Sequence, residues 1–103
     1  MNMPEYLISS EELARELGTV TLLDVREPEE FAQSRIEGCK LIPLDELQIR
    51  ANELNPEDNI VIYCAHGVRS LYALRALQML GFKKLRSLDG GIAAFEEWHH
   101  SQR

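Results

Sequence analysis

The stretch Ile60-Val61-Ile62-Tyr63-Cys64-Ala65-His66-Gly67-Val68-Arg69-Ser70 changes character at its midpoint. Asn59 to Tyr63 is apolar on both faces, the pattern of a central strand in a parallel sheet. A cysteine, a histidine, a glycine and an arginine then follow within six residues. From Arg69 to Leu80 the apolar spacing turns helical, at Leu71, Leu74, Leu77 and Met79 with Leu80, and Gly81 caps the helix. A buried strand, a short polar loop and a helix make one half of a crossover unit.

Reading outward, the same alternation recurs. Ser9-Ser10-Glu11-Glu12 is a capping box, Leu13 and Leu17 share the face of the helix it opens, and Gly18 stops that helix. Thr19 to Val25 is β-branched and apolar and predicts a strand. Pro28 opens a short helix to Ser34, with Glu29 and Glu30 at its positive end. Cys39 to Ile42 predicts a brief strand closed by Pro43, and Asp45 to Leu54 a helix with Leu44, Leu47 and Leu54 inward, broken at Asn55-Pro56. Lys84 to Leu88 predicts a last strand, Gly90-Gly91 a turn, and Ile92 to His99 a final helix. Strands alternating with helices over short connections mean an α/β fold, a parallel sheet with helices on both faces.

The totals bound this reading. A chain of 103 residues argues for one domain over 1–103. Such a chain buries roughly 60–70% of its unfolded surface, enough for a core without staples. With 45% hydrophobic and 27% charged residues, the composition is that of an ordinary globular protein. A formal net charge of −6 argues against a nucleic-acid or anionic-membrane surface. No apolar run reaches the roughly 20 residues of a membrane span, and MNMPEYLISS lacks the features of a secretory leader, so a cytoplasmic location is expected. Cys39 and Cys64 are then expected as free thiols, and two cysteines without neighbouring histidine pairs make no zinc site.

Ligands of such folds bind at the carboxyl ends of strands, where Cys64 stands. The unpaired N–H groups of the following helix carry roughly half a positive charge, and a loop curling there turns amides inward as an anion cradle. Gly67 supplies the backbone freedom such a loop needs. A thiol in that cradle ionises readily. Arg69 adds positive charge at a helix start, a position the helix dipole disfavours, and His66 is a further donor. A cysteine at a strand end also packs as a small hydrophobe. From these residues alone the constellation reads as an anion-stabilised cysteine nucleophile, and no further.

The loop CAHGVRS resembles the active-site loop of the rhodanese family of sulfurtransferases, Cys-x-x-Gly-x-[Arg/Ser/Thr]. Three other blocks agree in order: LLDVREPEEF (Leu22 to Phe31), RIEGCKLIPLDEL (Arg35 to Leu47) and LGFKKLRSLDGGIAAFEEW (Leu80 to Trp98). The resemblance implies a rhodanese-like domain with a five-stranded parallel sheet and a thiosulfate sulfurtransferase. Its implied course is a persulfide on Cys64, taken from a donor such as thiosulfate and passed to cyanide, a cellular thiol or a protein acceptor, without a metal or organic cofactor. Ala65, His66, Gly67, Val68, Arg69 and Ser70 would form the substrate-binding loop, with Arg69 either holding the anionic end of thiosulfate or bracing the loop. Asp24 and Arg26 match the family's Asp-Val-Arg motif and would support that loop.

The chain departs from the family pattern at Arg35 (usually His), Glu37, Cys39 (usually Ala) and Phe95 (usually Trp, here Trp98 three residues on). The Cys39 position implies packing rather than a resolving thiol. Cysteine phosphatases and arsenate reductases of related fold place five residues between Cys and Arg to encircle a tetrahedral oxyanion. Four separate Cys64 from Arg69 here, a smaller ring suited to one sulfur atom. A non-catalytic or sulfur-carrier binding module is the other alternative, and the retained cysteine and glycine weigh against its being non-catalytic.

Overall fold

The computed structural model describes residues 3–102. Five parallel strands form one sheet in the order β1-β5-β4-β2-β3: Leu7–Ile8, Leu85–Leu88, Ile60–Tyr63, Thr21–Asp24 and Lys40–Leu41, respectively. Five helices alternate with them: α1 (Ser10–Glu16), α2 (Pro28–Gln33), α3 (Leu47–Arg50), α4 (Arg69–Met79) and α5 (Gly91–Ser101). The α/β class and the five-stranded parallel sheet expected above are therefore present.

β4 lies at the centre, and all four of its residues are buried, as an apolar run without alternation requires. Strand geometry sends successive side chains to opposite faces and so divides the core in two. On one face Leu23, Ile60, Ile62 and Cys64 join Leu47 of α3 with Ala73, Leu74 and Leu77 of α4. On the other, Leu22, Val61, Tyr63 and Leu88 meet Leu13 of α1 and Ile92 of α5. Cys64 keeps the parity of Ile60 and Ile62, so its side chain enters the α4 face, beneath that helix's first turn.

Several expectations need correction. The helix expected over Asp45 to Leu54 is an α-helical turn, Leu47–Arg50, between 3₁₀ turns at Leu44–Glu46 and Ala51–Glu53. Tight 3₁₀ geometry is common where a helix is too short to sustain its ladder. Leu47 and Leu54 are buried as expected, and Leu44 is half-buried. In α4, Leu74 and Leu77 are buried, but Leu71, Met79 and Leu80 are 40%, 79% and 45% exposed. The small residues Ser70 and Ala73 occupy the closest approach to the sheet instead, which rotates those three outward. β1, two residues long, escaped the sequence reading and is secured by Ser87 N–H to Tyr6 carbonyl and Asp89 N–H to Ile8 carbonyl bonds of 2.7 and 2.9 Å. Ser9 caps α1, its hydroxyl accepting from the Glu12 amide at 3.1 Å.

Candidate active site

Cys64 leaves β4 and the chain turns through residues 65–68 into α4. Its side chain is buried, the residue only 1% exposed. Sγ accepts the Gly67 amide at 3.2 Å and the Ser70 amide at 3.3 Å, and the Ser70 hydroxyl lies 3.5 Å away. Burial pushes the thiol up. The Ser70 hydroxyl and the amides of Ser70, Gly67 and His66 outweigh that, and the net pKa lies below the ordinary thiol value. Among the described residues, the N–H groups of Ala65, Val68 and Arg69 meet no acceptor in the protein. The loop around the buried sulfur therefore retains N–H groups without partners.

The loop is held from outside by groups the sequence reading did not include. Ser87 of β5, wholly buried, stands 2.7 Å from the Ser70 hydroxyl, so the two hydroxyls and Sγ form a chain. Ser87 stands between Arg86 and Leu88, and its place in a strand was the available signal. At the start of α5, the Ile92 and Ala93 amides donate to the carbonyls of Cys64 and Ala65 at 2.9 and 3.1 Å. Those are first-turn N–H groups without partners in their own helix. This docking requires glycine at position 91, where φ is +64° and a Cβ would stand 2.5 Å from the Ala65 carbonyl. Gly67 has φ +100°, and a Cβ there would press to 3.2 Å from the Gly90 nitrogen. The Gly-Gly pair, expected as a turn, thus sets the distance between α5 and the loop.

Arg69 extends to α2, where both its terminal nitrogens grip the Glu30 carboxylate at 2.8 and 2.9 Å. The Arg69 guanidinium, with the Glu27 amide also donating at 2.9 Å, holds that carboxyl down at about 2. Asp24 and Arg26 form a second, buried pair, with Arg26 Nη2 2.8 Å from Asp24 Oδ2 and 2.7 Å from the Ser34 carbonyl. The Arg26 guanidinium also lies 5.5 Å from the centre of the Tyr63 ring. Among the described residues, neither Asp24 nor Arg26 hydrogen-bonds to residues 64–70, so their connection to the loop runs through the end of β4. His66 and Val68 are exposed and Ala65 half-buried at the rim.

Cys39 lies on the opposite side of the sheet. It packs with Ile36 and Tyr63 in the α1/α5 core cluster and accepts the Tyr63 hydroxyl at 3.3 Å. Both cysteines are free thiols. A groove of about 560 Å³ also lies on that side, where Arg35, Ile36 and Glu37 face Phe95 and Trp98 of α5. It contains none of the Cys64 loop. No described helix is long and apolar enough to cross a membrane.

A buried cysteine sulfur at the tip of the central strand, accepting amides at a helix start, makes a cysteine-centred candidate site in an α/β domain. Residues 9–97 match the Rhodanese-like domain model, and the chain belongs to that family. It is 36% identical over 91 residues to a sulfurtransferase of Allochromatium vinosum, an alignment covering 85% of each chain. It is 45% identical over 74 residues to the putative sulfur carrier protein YrkF of Bacillus subtilis, covering 72% of this chain but 40% of that one. It spans less than half of that relative. The crystal structure of a rhodanese-related protein from Thermoplasma volcanium superposes with a TM-score of 0.85 at 33% identity, covering 89% and 91% of the two chains.

Proposed function

We propose that the protein is a sulfurtransferase that carries a sulfane sulfur on Cys64. The observation that supports this most directly is the set of amide and hydroxyl donors around Sγ, which stabilises an anionic sulfur and leaves further N–H groups of the loop without partners. In the first step the Cys64 thiolate attacks the outer sulfur of thiosulfate. The donor's S–S bond breaks, sulfite leaves with the electron pair, and Cys64 retains a persulfide. In the second step cyanide or a thiolate attacks the terminal sulfur. The new S–S bond breaks, thiocyanate or an acceptor persulfide departs, and the Cys64 thiolate is restored. The hydroxyl and amides that lower the thiol's pKa favour the attacking thiolate. Ala65, His66 and Val68 rim the opening and contact the donor or acceptor, and Gly67 and Ser70 supply donors to the sulfur.

Arg69 favours the bracing role over direct capture of the donor's anionic end, since its fork is filled by Glu30. The same pairing, together with the four-residue gap to Cys64, weighs against an oxyanion-encircling phosphatase or arsenate reductase. Asp24 and Arg26 support the loop at one remove, by fixing the segment that packs over the Tyr63 ring. The name of the Bacillus relative supports a second reading of the same chemistry, in which a protein acceptor takes the sulfur. A cytoplasmic setting, where thiols stay reduced, fits either reading.

Intact-mass measurement after incubation with thiosulfate tests the proposal. A gain of one sulfur atom by the native chain, absent in Cys64→Ser, is the expected result. No gain, with cyanide yielding no thiocyanate, would overturn thiosulfate sulfurtransfer.

A further inference from the structure

Helix α4 has apolar side chains on two faces. Ser70, Ala73, Leu74 and Leu77 enter the core. Val68, Leu71, Tyr72 and Arg75 follow the i, i+3, i+4, i+7 spacing of a second stripe, which faces solvent. Val68 is 63% exposed and Tyr72 68%. From Val68 to Arg75 the stripe runs about 10 Å along the helix. Its first residue belongs to the loop that wraps Cys64, and its second, Leu71, adjoins Ser70, whose amide holds Sγ. The apolar surface therefore begins at the rim of the site.

Among the described arginines, the one in this stripe stands apart. Arg15, Arg26, Arg50, Arg69 and Arg86 are each paired with a carboxylate, and Arg35 lies over the Phe31 ring. Among the described residues, Arg75 has neither an ion-pair nor a hydrogen-bond partner. Tyrosine and arginine beside aliphatic side chains are the composition that protein interfaces favour. An unsatisfied guanidinium there calls for a carboxylate on the partner. The stripe itself contains no acid, so a second copy laid symmetrically on it would leave Arg75 unanswered.

Resting on the sulfurtransferase reading above, we propose that the Val68–Leu71–Tyr72–Arg75 stripe docks a protein thiol acceptor. Its cysteine is flanked by apolar side chains and a carboxylate that pairs with Arg75. Docking there brings the partner's thiolate to the terminal sulfur of the Cys64 persulfide. The partner leaves as a persulfide and Cys64 as a thiolate, so the exchange needs no outside oxidant.

The test uses two synthetic peptides, each with one cysteine between Leu and Phe, one bearing Glu nearby and the other Lys in its place. Sulfur transfer from the full chain to each peptide and to dithiothreitol is followed by mass, for native, Tyr72→Ser and Arg75→Glu proteins. The native protein favours the Glu peptide by about fivefold, the ratio an exposed charge pair supplies. Arg75→Glu inverts that preference, Tyr72→Ser slows both peptides, and dithiothreitol is served equally by all three. An unchanged peptide preference in Arg75→Glu would overturn the proposal, as would equal slowing of dithiothreitol. A native dimer that Tyr72→Ser dissociates would assign the face to a second copy and overturn it too. Persulfide on Cys64 is measured before any acceptor is added, so its absence counts against the sulfurtransferase reading alone. Docking is then read from exchange of Cys64 with the same peptides activated as thionitrobenzoate disulfides, where the same preference and the same inversion are required.

Discussion

Cys39 and Cys64 are the same residue type on opposite faces of one sheet, and their surroundings make them different chemical groups. Burial pushes the Cys39 thiol up, and the one nearby hydroxyl, that of Tyr63, does not offset it. Burial also pushes Cys64 up, yet the Ser70 hydroxyl and three amides carry it below the ordinary value. Depth is thus not what distinguishes them. The difference lies in donors. Cys39 precedes a two-residue edge strand, whose backbone groups point along the sheet. Cys64 precedes a helix, whose first N–H groups have no carbonyl of their own to serve.

The largest effect should come from exchanging sulfur for oxygen at each position. Cys64→Ser should abolish sulfur uptake and transfer, since a serine hydroxyl in the same cradle neither ionises near neutral pH nor holds a sulfane sulfur. Cys39→Ser should keep most of the native rate, because it leaves every contact to Sγ of Cys64 in place. Thiocyanate formation from thiosulfate and cyanide checks both. Equal loss in the two variants would replace the one-thiol course by a two-thiol relay.

Gly91→Ala should follow in size. Its Cβ would meet the Ala65 carbonyl carbon and oxygen at 2.5 Å and the Cys64 oxygen at 2.6 Å, all backbone atoms that cannot swing aside. Overpacking of this kind costs about 1–3 kcal/mol, and the left-handed backbone adds to it. A lowered thermal midpoint, slower sulfur uptake and a raised Cys64 pKa are expected together. The Cys39 reaction with an alkylating agent should be unchanged, and loss of both thiols' behaviour at once would mean global unfolding rather than a displaced loop.

What the chain discloses in advance follows the same division between local and distant. The run from Ile60 to Ser70 was readable because strand, loop and helix are contiguous, and the cradle depends on residues within six positions of Cys64. Ser87 and Gly91 were not readable as site residues, because their partners are set by β5 lying beside β4. That order follows from packing, not from spacing. The brace between Arg69 and Glu30 needed the position of α2 as well. Helix α4 shows another limit. Leu71, Leu74 and Leu77 make a reasonable apolar face on paper, but the helix turns its serine and alanine to the sheet because small side chains allow the closest approach. Hydrophobic spacing weighs leucine over alanine and so misplaces the rotation. The split of the Asp45–Leu54 helix was invisible for a similar reason, since Leu47, Ala51 and Leu54 fit an unbroken helix equally well.

Ser70→Ala tests the donor argument at its finest grain, and its effect should be the smallest and the most specific. The hydroxyl is one of the contacts that lower the Cys64 pKa, so its removal moves that pKa upward while the amides of residues 67 and 70 remain. The sign follows from the depressed folded value. Thiolate stabilisation is fully present above the unfolded thiol pKa and is lost as pH falls through the folded one. Sulfur uptake by the folded protein falls as pH drops through the folded value alone, because only the thiolate attacks. The pH profile of uptake should therefore shift to higher pH in Ser70→Ala, with the variant approaching the native rate at alkaline pH. The substitution also leaves the buried Ser87 hydroxyl without its partner, at a cost of about 1–3 kcal/mol. Ser70→Ala with Ser87→Ala removes both hydroxyls and should recover part of that stability while keeping the shifted profile. A profile that returns to its native position in the double variant would show that the orphaned Ser87, and not the lost bond to sulfur, had moved it.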